Sequence, residues 1–227
     1  MLYLKRDLYV GRSLALYGEF SEIEAAFLAS YAPADGVAVD AGANIGAHTL
    51  VLARAVGPRG MVIAAEPQRA VFQILCANLA LNEIRNAHAF HCALGAAAGR
   101  TKIPAFDYRQ ENNYGGVSAG AERGETVRVQ TVDGLSLPRL DLLKIDVEGW
   151  EAEVLRGAAA SIKRHRPVLY VEADRMDKAG DSGAYAVDGL RDLSTPAAAV
   201  QPQELRRQRR ERFRRHGFGQ PAGHSQR

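Results

Sequence analysis

The hydrophobic and polar positions divide most of the chain into short apolar runs separated by amphipathic segments. Runs in which most residues are apolar lie at 37–39, 61–65, 87–94, 140–145 and 167–171. Runs of this length without regular polar alternation are typical of strands that are covered on both faces. The pattern therefore predicts five strands of a parallel sheet.

Helical spacing fills the segments between several of these runs. Ser21 and Glu24 have the spacing of a capping box before a helix that ends ahead of Pro33. Further helices are predicted at 48–56, at 69–81 and from Glu151 to about Arg164. Strands that alternate with helices indicate an α/β fold, a doubly wound sheet with helices on both faces.

Residues 100–130 interrupt this alternation. Two β-rich pieces, at 101–106 and 126–131, flank the polar, Gly-rich sequence DYRQENNYGGVSAGAERG. The pattern predicts an inserted hairpin-like excursion from the sheet.

Net charge at first suggests a polyanionic partner, since the chain carries +3 and has a pI of about 8.9. However, residues 1–180 sum to −1 and residues 181–227 to +4. The folded body is therefore near neutral, and nucleic-acid binding is disfavoured.

Other classes are excluded on simple grounds. Lys5, Arg6 and Asp7 interrupt the position where a signal peptide needs apolar residues, and no run approaches the ~20 apolar residues of a membrane helix. Two cysteines are too few for a disulfide framework, and the histidines lack metal-ligand spacing. We expect a cytoplasmic protein with no membrane partner and no bound metal.

Glycines and carboxylates lie at the strand ends, where such sheets bind ligands. Gly42 and Gly46 allow a tight turn before a helix N-terminus, but their G-x-x-x-G spacing departs from the dinucleotide fingerprint and disfavours a nicotinamide oxidoreductase. Glu66, at the end of the second strand, is placed to accept hydrogen bonds from both ribose hydroxyls. The set predicts an adenosine-containing ligand, and S-adenosyl-L-methionine fits because it has no phosphates.

The chain resembles the FkbM-type S-adenosylmethionine-dependent O-methyltransferases. Matching strings run in order through residues 7–178: DLYVGRSLALYGEFSE, VDAGANIGAHTL, EPQRAVFQILCANLALN, NNYGGVS, LLKIDVEGWEAEVLRGA and RPVLYVEADR. The resemblance implies a Rossmann-like, mainly parallel sheet and methyl transfer to a hydroxyl of a small molecule or sugar.

The resemblance also implies roles for individual residues. A carboxylate near the acceptor would take the hydroxyl proton, with Asp146 as the first candidate and Glu172 as the second. The cofactor would be bound by Tyr17, Glu19, Asp40, Gly42, Asn44, Gly46, Glu66, Gln68, Cys92, Ala93, Asp146 and Glu148. The substrate side would include Asn113, Gly115, Gly116 and Trp150.

Structural alternatives remain open for several of these residues. The turn from Asp40 to Gly46, the acidic loop at Asp146 and the carboxylate Glu172 could each serve structure alone, and Trp150 could simply pack at the start of its helix. The function has an alternative as well, a catalytically impaired remnant of the fold that at most binds the cofactor.

The last part of the chain departs from this pattern. We divide the chain into an N-terminal lid at 1–36, the methyltransferase domain at 37–178 and a tail at 179–227. The tail has seven arginines between Arg206 and Arg215 and lacks strand periodicity. Relatives usually have seven strands, so the last two strands are predicted to be missing, with the fifth strand left as an unpaired edge. The tail is predicted to be disordered or loosely helical, and a frameshift in the gene would explain its composition.

Overall fold

A mainly parallel six-stranded sheet forms the centre of the computed structural model, which describes residues 1–172 and 184–188. Its strands are β1 Val37–Ala41, β2 Met61–Ala65, β3 Ala87–Phe90, β7 Leu142–Ile145, β8 Val168–Glu172 and β9 Ala184–Asp188. They lie in the order β3-β2-β1-β7-β8-β9, and all of them except β9 run parallel to one another. The predicted α/β sheet of five parallel strands is thus confirmed.

Helices cover both faces of this sheet. They are α1 Val10–Tyr17, α2 Glu22–Tyr31, α3 Ala47–Val56, α4 Arg69–Leu81, α5 Glu151–Gly157 and α6 Ala159–His165. Leu28 of α2 and Leu52 of α3 pack on Ala38 and Leu142, while α4 packs beside α3 through Leu75. The opposite face is covered by α5 and α6.

Residues 184–188 correct the expectation for the sheet edge. They form β9, which pairs antiparallel with β8 from Val168↔Asp188 to Glu172↔Ala184. The predicted unpaired edge on the fifth strand was therefore wrong, because β9 pairs with the backbone groups of that edge. Because β9 is a strand of this sheet, the predictions that both last strands are missing and that the tail is disordered or loosely helical were also wrong at residues 184–188. Residues 179–183 and 189–227 of the tail lie outside the described residues, and the frameshift stays a prediction.

The predicted third strand, 87–94, is two strands in different sheets. After Phe90 the chain turns, and β4 (Ala93–Leu94) pairs parallel with β6 (Glu125–Gln130). β6 also pairs antiparallel with β5 (Gly99–Ile103), which agrees with the predicted excursion. A three-stranded sheet, β4-β6-β5, therefore stands beside the main sheet.

Two helix predictions were also wrong in detail. The single helix predicted from Glu151 breaks at Ala158, and Asp133 accepts hydrogen bonds from the amides of Ala160 and Ser161, which stabilises the new start at α6. At α2, Ser21 donates to the Glu24 carboxylate instead of capping a backbone amide.

The helices within residues 1–172 and 184–188 all lack the length and apolar composition that a membrane span requires. The same residues contain no group of three or more His, Cys, Asp or Glu side chains arranged to hold a metal ion.

Candidate active site

A cleft opens at the carboxyl ends of β1, β2 and β7, bounded on its far side by the inserted loop. Its walls combine main-sheet turns, β4 and the start of α5. The lining residues are Gly42, Asn44, Ala65, Glu66, Pro67, Gln68, Cys92, Ala93, Leu94, Gly115, Val117, Ala119, Asp146, Val147, Glu148 and Trp150. The structure thus brings together most of the residues that the resemblance implied.

One wall of the cleft is the turn after β1, whose backbone packs closely against the ends of the neighbouring strands. Gly42 has a φ of +78°, and a Cβ at this position would overlap the carbonyl oxygen of Asp146. The amides of Gly42 and Ala43 both donate to the carbonyl oxygen of Ala65 at 3.0 Å. The turn after β1 is therefore held against the ends of both neighbouring strands.

We predict that Gly42→Ala destabilises the fold and weakens ligand binding in the cleft. The substitution combines a left-handed φ, which costs roughly 1 kcal/mol or more, with a backbone overlap that requires β1 and β7 to separate. The matched control is Gly18→Ala, where φ is +75° in the left-handed region and the added Cβ would meet nothing within 4 Å. Chemical denaturation should show a larger loss for Gly42→Ala, and equal losses would contradict this account.

Glu66 lies at the end of β2 with its carboxylate at the cleft. Its Oε1 accepts a hydrogen bond from the amide of Gln68 at 2.8 Å, and its Oε2 accepts one from the amide of Asn44 at 3.0 Å. The residue is 4% exposed, and burial raises the pKa of its carboxyl to about 7, against these two bonds. The structure thus holds a carboxylate rigidly where a ligand with hydroxyl donors could reach it.

Asp146 follows β7 and lines the cleft beside Glu148. Its Oδ2 lies 3.1 Å from the ammonium of Lys144, and it shares a hydrogen bond with Glu172. Burial alone would raise the pKa of Asp146, but Lys144 and the Glu172 hydrogen bond outweigh burial and keep it below the usual value. For Glu172, this hydrogen bond and burial raise the pKa to about 9. Of the two carboxyls, Asp146 is therefore the more acidic.

Asp40 and Gly46 support the cleft but are not among its lining residues. Asp40 is fully buried, and its Oδ2 accepts a hydrogen bond from the Thr49 hydroxyl at 2.6 Å. Gly46 has a φ of +90° at the start of α3, where a Cβ would come within 2.7 Å of Leu75. These contacts are structural, and the implied contact of both residues with a cofactor stays a prediction.

The inserted loop forms the far wall. Gln68 Nε2 donates to the carbonyl oxygen of Tyr114 at 2.7 Å, and the Ser118 hydroxyl donates to the carbonyl oxygen of Glu148. Asn113 does not line the cleft. Its Oδ1 instead accepts from the amides of Gly115 and Gly116, each at 3.1 Å, which shapes the loop.

Trp150 packs between Gly95, which follows β4, and Gly120 of the inserted loop. A Cβ on Gly95 would come within 2.9 Å of the indole nitrogen, and a Cβ on Gly120 within 3.0 Å of the six-membered ring. The indole N–H is buried and has no hydrogen-bond partner among the described residues. Nearby, burial raises the pKa of Cys92 to about 11, so this thiol is neutral.

The two implied lid residues lie outside the cleft. Tyr17 is 73% exposed at the end of α1, a helix that was not predicted. Glu19 accepts a hydrogen bond from the amide of Glu22 at 3.0 Å and so stabilises the start of α2. Their closure over a cofactor stays a prediction.

Lys144 is the main residue of this region to which the sequence analysis assigned no role. It is the one charged residue of β7, Leu142–Ile145, and a charged side chain is rarely buried without a partner. Its Nζ lies 3.3 Å from Asp40 Oδ1 as well as close to Asp146. The carboxylates keep its pKa above the usual value despite burial.

A family model and two curated methyltransferases match this chain. The family model described as the methyltransferase FkbM domain matches residues 40–214, beyond residue 178, where the sequence analysis ended the resemblance. Methyltransferase sdnD of Sordaria araneosa is 32% identical over 55% of this chain and 61% of its own length. Methyltransferase 1 of Beauveria bassiana is 34% identical over 55% of this chain and 59% of its own length.

The chain thus spans about three fifths of the length of these curated relatives. Among solved structures, the methyltransferase FkbM from Methylobacillus flagellatus KT aligns with 62% of this chain and 33% of that chain. The aligned residues are 23% identical, and the TM-score is 0.46.

Proposed function

Because the chain belongs to the FkbM methyltransferase family, we propose that it transfers a methyl group from S-adenosyl-L-methionine to a hydroxyl of a small molecule or sugar. The main observation behind the proposal is that two carboxylates, those of Glu66 and Asp146, line the same cleft. Glu66 is held by two backbone amides at the end of β2, and Asp146 stands at the end of β7.

The residues present fit this cofactor. Glu66 offers a buried acceptor to the two ribose hydroxyls, and the glycine turn at Gly42 lines the same cleft. Cys92 and Ala93 supply a neutral, apolar border suited to an adenine ring. When bound, S-adenosylmethionine supplies a sulfonium methyl group that is activated for displacement.

The chain's own contribution is orientation and proton removal. With the cofactor bound, transfer would form the bond from the acceptor oxygen to the methyl carbon and break the carbon–sulfur bond, whose electron pair would stay on sulfur. The acceptor hydroxyl becomes strongly acidic in this step, and its proton passes to the Asp146 carboxylate. Because the acceptor oxygen acidifies as the bond forms, a carboxylate of low pKa is a sufficient base.

Calorimetry and a transfer assay test the proposal. We expect S-adenosylmethionine and S-adenosylhomocysteine to bind, and NAD not to bind, since the dinucleotide fingerprint is absent. Radiolabelled methyl groups should then be transferred to hydroxylated acceptors in preference to amine or thiol analogues. Absence of cofactor binding would overturn the proposal, whereas binding without turnover on any acceptor would identify an inactive remnant.

Cofactor affinity should depend on pH through Glu66. The ribose hydroxyls require the ionised carboxylate, whose pKa in the free protein is about 7. Affinity should therefore be constant above this pH and fall about tenfold for each unit below it. Calorimetric titrations between pH 5.5 and 8.5 measure this dependence. A flat profile would contradict the role of Glu66, and Glu66→Gln should show weak, pH-independent binding.

A further inference from the structure

Polar side chains cross the face of the main sheet that α2 and α3 cover. The register places Asp40 of β1 beside Lys144 of β7, and Lys144 beside Tyr170 of β8. Side chains alternate along a strand, so Asp146 and Glu172, two residues further on, point to the same face. A buried polar row thus lies next to a carboxyl pair, of which Asp146 lines the cleft and Glu172 does not.

Lys144 connects the row to the pair. Its side chain is 1% exposed, and its Nζ lies 3.3 Å from Asp40 Oδ1 and 3.1 Å from Asp146 Oδ2. Asp146 is the partner that reaches the cleft, with 26% of its side chain exposed. Since a buried cation requires compensating charge, the position of Lys144 favours a negative charge on Asp146.

We propose that Lys144 is a positioning residue for the methyl transfer. Its ammonium holds Asp146 as the ionised member of the Asp146–Glu172 pair, which leaves the shared proton on Glu172 and keeps the base at the cleft. This inference rests on the proposed function for its catalytic meaning, whereas the ionic arrangement is a property of the chain alone.

The other groups that face the pair do not supply a competing cation. His48 of α3 is neutral at pH 7, because burial and Lys144 lower its pKa to about 4. Glu24 of α2 accepts a hydrogen bond from the Ser21 hydroxyl and lies 3.5 Å from His48 Nε2. Among the described residues, Lys144 is the one ion-pair partner of Asp146. The lowered pKa of Asp146 and the raised pKa of Glu172 agree with this arrangement.

Carbon-13 NMR of the labelled carboxyl groups tests the inference without any acceptor. The test variant is Asp40→Asn combined with Lys144→Met, which removes one buried charge of each sign. Asp40→Asn alone is the matched control, because it keeps the Lys144 contact with Asp146. Resonances are assigned through Asp146→Asn and Glu172→Gln, and folding is checked by circular dichroism.

In the control, the Asp146 carboxyl should remain ionised between pH 5 and 8. In the double variant its midpoint should rise by about 1 to 3 pH units, the range expected for loss of an adjacent opposite charge. An unchanged midpoint would overturn the inference. If the double variant does not fold, Glu172→Gln decides, because the amide still donates to Asp146. Asp146 should then stay ionised, and titration near neutral pH would overturn the inference.

Kinetics separate this inference from the proposed function. The double variant should lose about tenfold or more in kcat relative to Asp40→Asn, with a similar KM for the cofactor. Normal turnover of the double variant would overturn the positioning role and leave the methyltransferase proposal intact. Failure of the wild-type protein to bind S-adenosylmethionine would overturn the proposed function, whereas the NMR result would still decide the ionic arrangement.

Discussion

Replacing Asp146 with asparagine is expected to lower kcat for methyl transfer about 10²- to 10⁴-fold, the usual contribution of a positioned general base. Asparagine has nearly the same shape but cannot take the acceptor's proton. Asp146 lines the cleft, and Lys144 keeps it ionised. Because Glu66 is unchanged, the Kd for S-adenosylmethionine should change much less than kcat. Steady-state kinetics and calorimetry on the same preparation measure both.

Asp107→Asn is the matched control for this substitution. Asp107 lies on the inserted loop, pairs with Arg109 at 2.8 Å and does not line the cleft. Its replacement should leave kcat unchanged. If Asp146→Asn keeps normal turnover while Glu172→Gln loses it, the general base is Glu172, and Asp146 is not.

Replacing Glu66 with glutamine is expected to weaken S-adenosylmethionine binding about 100-fold, equivalent to about 2.7 kcal/mol. Hydrogen bonds to a charged group are worth roughly 1.5–3 kcal/mol each, and the ribose would lose the ionised acceptor for both hydroxyls. The variant also leaves one of the two backbone amides, of Asn44 or Gln68, without its carboxylate acceptor. Calorimetry above pH 8, where the wild-type carboxylate is ionised, gives the largest contrast.

Glu153→Gln provides the control for charge removal alone. Glu153 lies on α5, pairs with Arg156 and does not line the cleft. We expect its affinity for the cofactor to equal that of the wild-type chain. Wild-type affinity in Glu66→Gln as well would show that the ribose is bound elsewhere.

Glycine and proline residues at the boundaries explain why some strands and helices were predicted with the observed bounds. β2 and α4 have the predicted limits, Met61–Ala65 and Arg69–Leu81. Gly57, Pro58 and Gly60 precede the strand, and Pro67 separates it from the helix. Gly and Pro restrict the backbone locally, so such boundaries are decided within a few residues of the chain.

Pairing between distant segments explains the errors. The break after Phe90 exists because Ala93 and Leu94 pair with Val129 and Gln130 in another sheet. The edge of β8 is covered by residues 184–188, which hydropathy placed in an arginine-rich tail. The hydropathy pattern of a segment does not show which distant strand it pairs with.

The chain's own sequence determined the alternating strands and helices, the glycine turn after β1 and the carboxylates at the strand ends. All of these depend on neighbouring residues, through hydrophobic periodicity and backbone freedom. The tertiary structure decided which side chains are brought together and what charge they carry. Register sets Asp40, Lys144 and Asp146 on one buried face, while Tyr17 stays exposed. Burial and the distance between charges set the pKa of each group, and both exist only once the chain has folded.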